Sequence, residues 1–174
     1  RSWELIEYPK LPTTNRLTWA VKTSNKLESP RHILVGFHID RKGSTTKNMA
    51  TFDDINLKNL KVFLNTDRYP YNDVLIDFKS NKFATLYEMF SKFRSSYYGL
   101  KDEPIFSPEE YKNIAPIVYI DCSYQKDSIQ SSSVVLRIDL ETGENIPENT
   151  SAYCLIIHDK MFSYNPLTKL VKQL

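Results

Sequence analysis

The side chains in this sequence that could do nucleophilic, acid–base or metal chemistry are few: three histidines, two cysteines and scattered carboxylates. His32 and His38 are six residues apart on one extended segment and so share a face. Strand rise nevertheless puts ~20 Å between them, too far to bind one metal. His158-Asp159 follows an apolar run and Asp121-Cys122 ends another. Neighbours on a strand point to opposite faces, so neither pair is a ready dyad. A Cys–His site would have to be assembled across strands, from Cys122 or Cys154 with His158. Both cysteines lie inside apolar runs, where a thiol behaves as a small buried hydrophobe. Without a secretory leader, a disulfide is not the expectation. Glu109 and Glu110 are adjacent, and on a helix they diverge by about 100° rather than converging on one substrate atom. No phosphate loop, dinucleotide fingerprint, zinc-protease motif, C-x-x-C or nucleophile elbow occurs. The expectation is therefore not an enzyme, with no catalytic, cofactor or metal residues. Asn149-Thr150-Ser151 is a glycosylation triplet only if the chain enters the secretory pathway. Lys160, Lys169 and Lys172 read as a solvated, mildly basic C-terminal edge.

The elements that would carry these residues are mostly strands. Runs at Ile117–Cys122, Val134–Leu140 and Ala152–Ile157 are rich in β-branched and aromatic residues and are separated by turn formers. In the second run Val134, Leu136, Ile138 and Leu140 share one face, while Arg137, Asp139 and Glu141 share the other. One face should meet a core and one water. The third run is apolar on both faces and should be central. Upstream, Trp3–Tyr8, Leu17–Lys22, Arg31–Asp40, Leu57–Leu64 and Val74–Phe78 read as strands, the Arg31–Asp40 run also central. Met161–Tyr164 and Lys169–Val171 flank Asn165-Pro166, which predicts a terminal hairpin. Arg41 to Asn56 is polar and punctuated, a mobile loop. Asn65 to Pro70 reads as a turn.

Between Lys82 and Tyr97 the period changes. Phe83, Leu86/Tyr87, Phe90, Phe93/Arg94 and Tyr97 recur at three-to-four spacing, which predicts one amphipathic helix of about four turns across an end of the sandwich. Ser80 or Asn81 would cap its start and Gly99 its end. Ser107-Pro108-Glu109-Glu110 is a capping box with proline at the first helical position, so a short helix begins there.

At 174 residues the chain is long enough for one domain, spanning 1–174, that buries roughly two-thirds of its unfolded surface. A net charge of +2 with interspersed signs is too balanced for a nucleic-acid footprint. No run approaches the ~18 apolar residues of a membrane span. The chain opens on Arg1 rather than Met, so more sequence is expected upstream. Eleven tyrosines and nine phenylalanines suit sheet faces and contacts between subunits.

Several segments, in their order, resemble a known family. They are Trp3-Glu4-Leu5 with Glu7-Tyr8-Pro9, Trp19-Ala20-Val21-Lys22-Thr23-Ser24-Asn25, Phe63-Leu64-Asn65, Tyr69-Pro70-Tyr71, Ser95-Ser96-Tyr97-Tyr98 and Ile120-Asp121-Cys122-Ser123. The longest runs from Asn145 through His158-Asp159 towards Tyr164-Asn165-Pro166. Together they look like the double jelly-roll-like domain proteins of arthropod and other invertebrate genomes. Those are related to the major capsid proteins of Polinton/Maverick elements and adintovirus-like DNA viruses.

The resemblance implies an all-β fold: an antiparallel two-sheet jelly-roll sandwich with one inserted α-helix and a short second helix. It implies a structural capsid-type subunit, two rolls per subunit and three subunits per capsomer. The length suits one roll, expected to be the C-terminal one. Partners would be further copies of the chain, with no small-molecule substrate, nucleic acid or membrane. The location would be the virion if the protein is viral, otherwise the cytoplasm or nucleus. Joined to their positions beside turns, it makes Tyr69, Tyr71, Tyr97 and Tyr98 the candidate intersubunit contacts. Two other readings remain: a domesticated cellular binding module that no longer forms shells, and a cupin-type enzyme. The cupin reading would need clustered interior histidines, which this sequence disperses.

Overall fold

A computed structural model of the chain describes residues 2–22, 30–124, 134–158 and 162–173. Eight strands make two four-stranded antiparallel sheets. The first is ordered β1 (Ser2–Tyr8), β8 (Thr150–His158), β3 (Pro30–Ile39), β6 (Val118–Asp121); the second is β2 (Arg16–Val21), β7 (Leu136–Thr142), β4 (Leu57–Leu64), β5 (Asp67–Tyr69). Strands 1, 3, 6 and 8 thus fill one sheet and 2, 4, 5 and 7 the other. The chain crosses between sheets at nearly every connection, which is the interleaved wrapping of a jelly roll. A two-stranded sheet, β9 (Phe162–Asn165) with β10 (Leu170–Gln173), follows as the expected hairpin.

Period-two patterning places the core between the sheets. On β7, Leu136, Ile138 and Leu140 are buried while Arg137 is exposed. Across the gap, Val35, Phe37, Cys154 and Ile156 are at most 1% exposed. Register brings Val35 opposite Cys154 and Ile33 opposite Ile156, so the two central strands β3 and β8 carry the apolar layer of the first sheet together. Gly36 is required on β3 because the Phe52 ring lies 2.6 Å from where its Cβ would be.

Five expectations differ from the structure. The single helix over Lys82–Tyr97 is two: α1 (Ala84–Ser91) and α2 (Phe93–Tyr98), meeting at Lys92. Both pack against β6, on the flank of the first sheet. Neither Ser80 nor Asn81 caps α1, whose N-cap is Phe83 with no side-chain hydrogen bond. Those residues are used in a tight turn instead: Asp77 accepts from the Ser80 amide and hydroxyl (3.2 and 3.1 Å), and Asn81 is left-handed (φ 55°). Val74–Phe78 alternates buried and exposed like a strand, but it joins no ladder and is tied by Ile76 N–H to Lys58 O (3.0 Å) and a bridge from Asp77 to Lys82. The turn at Asn65–Pro70 contains the short strand β5. Finally, the loop after β3 is held. Asp53 takes Nε and Nη2 of Arg41 at 2.7 and 2.6 Å and the Ile39 amide at 2.8 Å, and the Phe52 amide donates to Ile114 O (2.8 Å).

The third helix, α3 (Pro108–Ile114), begins as expected. The Ser107 hydroxyl accepts from the Glu110 amide (3.3 Å), and the Glu110 carboxylate takes the Ser107 amide (2.8 Å). Gly99 ends α2 in the left-handed region, φ 68°.

Candidate functional site

The cysteines are core residues. Both are free and fully buried. Burial pushes the Cys154 thiol up to about 12 and raises that of Cys122 as well, so neither is a thiolate at neutral pH. His32 is also fully buried: its Nδ1 is 2.9 Å from the Tyr119 hydroxyl, and the rings of Phe93 and Tyr97 of α2 meet it edge-on at 6.1 and 5.7 Å. His38 lies further along the same strand and face, between Phe52 (4.6 Å) and Tyr153 (5.0 Å). His158 is buried at the end of β8. Among the described residues no three His, Cys, Asp or Glu side chains come together as metal ligands would. Asp159, Lys160 and the Lys172 side chain lie outside the described residues.

Asp121 belongs with His32. It faces the same side of the first sheet, in register with His32, and accepts from Ser96 Oγ of α2 (2.7 Å) and the Ser123 amide (2.8 Å). Burial pushes its carboxyl up, but the hydrogen bonds from Ser123 and Ser96 outweigh it and hold it below the usual range. The cluster therefore fastens α2 to the sheet. Sequence gave no sign of it, because Ser96 and Asp121 are far apart along the chain.

The four tyrosines divide. Tyr69 ends β5 half-buried against the core. Tyr97 is half-buried too, its ring on His32, Phe93 and Tyr98. Tyr71 and Tyr98 face outward, 86% and 63% exposed. Two of the four are thus available to another molecule and two are structural.

Two further apolar surfaces stand open. On the outer face of the first sheet, Trp3 (71% exposed) and Leu5 (55%) adjoin half-buried Leu155 and Leu34, with Leu5, Leu155 and Leu34 in register. On the hairpin, Phe162, Tyr164, Leu167, Leu170 and Val171 are all exposed. The outer face of the second sheet is different. A cleft of about 420 Å³ there is lined by both signs of charge, including Arg16, Lys61, Asp139 and Glu141, with Arg16 and Glu141 already paired at 2.9 Å. No helix among the described residues is long and apolar enough to cross a membrane.

No curated protein matches the chain. A family model does, over residues 1–162, which take in the eight strands of the roll and stop where the hairpin begins. With that match and the strand order of a jelly roll, the chain belongs to the double jelly roll-like domain family.

Proposed function

We propose that this chain is a capsid-type building block, one roll of a virus-derived double jelly-roll subunit that assembles with copies of itself. The observation that carries the reading is the strand order 1-8-3-6 over 2-7-4-5 in a chain of this family. Several features support an assembling part over a catalyst. The thiols and histidines are spent on packing, and the outward-facing groups that stand out are aromatic and apolar, the kind enriched where proteins meet. In this reading the chain is the C-terminal roll, three subunits form a capsomer, and the protein is at work in a virion-like shell. Its relatives would be the capsid proteins of Polinton-type elements and adintovirus-like viruses in invertebrate hosts. Electron microscopy of the full-length protein after expression tests it. Trimers or closed particles are expected; dispersed monomers at every concentration would refute assembly and leave a domesticated binding module in its place.

A further inference from the structure

Residues 40–56, between β3 and β4, form a long strap without strand or helix. Loops of that length are uncommon in compact domains unless they have work to do. Where the β6 ladder stops at Val35, Phe52 and Asp53 take over the edge of β3. The Asp53 amide donates to Phe37 O (2.9 Å), and the Asp53 carboxylate accepts from the Ile39 amide (2.8 Å). The Phe52 ring fills the place that a Cβ would take at Gly36 and lies 4.6 Å from the His38 ring. Both ends of the strap hold residues other than glycine in left-handed backbone: Asp40 (φ 50°), Ile55 (φ 46°) and Asn56 (φ 54°). For β-branched Ile55 that conformation is costly, and the contacts of the closed strap must offset it.

His38 is packed beneath Phe52, 6% exposed, with no hydrogen-bond partner for either ring nitrogen among the described residues. The acceptors around it are already committed. Asp53 gives Oδ1 to Arg41 Nη2 (2.6 Å) and Oδ2 to Arg41 Nε (2.7 Å) and the Ile39 amide. On β8, the Tyr153 hydroxyl interacts with Ser151 and Glu7, and Ser151 Oγ donates to Pro9 O (2.7 Å). Glu7 of β1 is paired with Lys42 (2.9 Å), and Asp40 of the strap faces Lys47 (3.6 Å). Burial and then Arg41 lower the pKa of His38 below 6.5, and Asp53 offsets them only in part. An imidazolium here must either leave with Phe52 or take Asp53 from Arg41. Each course breaks the buckle that closes the strap.

We infer that the strap is an acid-released latch: protonation of His38 frees Phe52 and the Arg41–Asp53 buckle and bares the edge of β3 at Phe37–Ile39. The inference stands apart from the assembly reading. The strap is closed above the His38 titration and is released as the pH falls through it. Asp53 takes no part in that window, because its carboxyl is held below 3.8.

Amide hydrogen exchange of the full chain, read by NMR as protection factors at pH 7.5 and 5.0, tests it. A group with an open-state pKa of 6.5 can shift the opening at pH 5.0 by at most about thirtyfold. The Ile39, Phe52 and Asp53 amides should therefore lose roughly tenfold in protection, while Cys154 and Ile156 of β8 keep theirs. In His38→Gln the strap amides should be equally protected at both pH values. Where glutamine itself leaves the strap open at pH 7.5, the wild type decides: the loss of protection must share its midpoint with the titration of the His38 ring. A mismatch of those midpoints overturns the inference. So does a strap that stays protected at pH 5.0, the same loss in a variant whose strap is closed at pH 7.5, or an equal loss across β8, which would be unfolding of the whole roll.

Discussion

His38 is a base packed where its charged form is disfavoured. Burial lowers its pKa first, and the Arg41 guanidinium lowers it further, while Asp53 acts in the opposite sense. Phe52 and Tyr153 supply the remaining walls, and neither ring nitrogen has a hydrogen-bond partner among the described residues. Because the folded value lies below the ordinary 6.5, the unfolded chain binds the extra proton first as the pH falls. Stability is therefore complete above that value and declines as the pH drops through and below it. Asp53 behaves differently. Burial pushes its carboxyl up, but Arg41 and the Ile39 amide hold it lower than usual, so its contribution is lost only in a more acid window, below 3.8. Urea midpoints at pH 7.5 and 5.5 should fall for the wild type, and His38→Gln should remove much of that difference. An unchanged pH dependence in the variant would place the titrating group elsewhere.

At the scale of elements, α1 and α2 explain why one periodic stretch became two helices. Phe90 of α1 stacks near Tyr111 (5.0 Å) and Phe106 (6.3 Å), whereas Phe93 and Tyr97 of α2 lie on Tyr119 and His32. The break at Lys92 turns two aromatic groups toward two different targets. A three-to-four spacing records only that apolar residues recur, not which neighbour each one meets. Phe90→Ala should cost ~3–5 kcal/mol, the range for emptying a buried aromatic site. Chemical denaturation measures it, and a cost under about 1 kcal/mol would show that α1 does not pack through Phe90. The same limit explains the other differences. Val74, Ile76 and Phe78 do alternate into the core, so their pattern was legible, but ladder pairing depends on where β4 and β5 run. Strand β5 is three residues inside a turn-rich stretch and has no pattern long enough to read. The central strands β3 and β8, the capping box at Ser107 and the terminal hairpin depend on local chemistry and were legible throughout. The His32–Tyr119 contact with Ser96 and Asp121 beside it needed three-dimensional placement.

For the whole molecule, the capsid reading makes a demand that the exposed tyrosines can answer. A shell subunit must meet its neighbours laterally, through residues that contribute little to its own fold. Tyr71 and Tyr98 fit that condition, at 86% and 63% exposed. Tyr69 and Tyr97 do not, since they pack inward, and changing them would disturb the roll and any interface together. The double variant Tyr71→Ala, Tyr98→Ala should therefore melt close to the wild type, within the ~0.5 kcal/mol typical of surface changes, with a small added loss where Tyr98 meets the Tyr97 ring at 4.6 Å. Aromatic side chains at the centre of an interface are commonly worth ~2 kcal/mol or more, about thirtyfold in an association constant. Sedimentation of the complete protein and this variant, set beside their melting temperatures, separates the cases. Loss of trimers or particles at an unchanged melting temperature supports an interface through these two residues. A parallel loss of both would assign them to packing. Assembly unaffected by the double variant would move the lateral contacts elsewhere, with the hairpin and the Trp3–Leu5 face next in line.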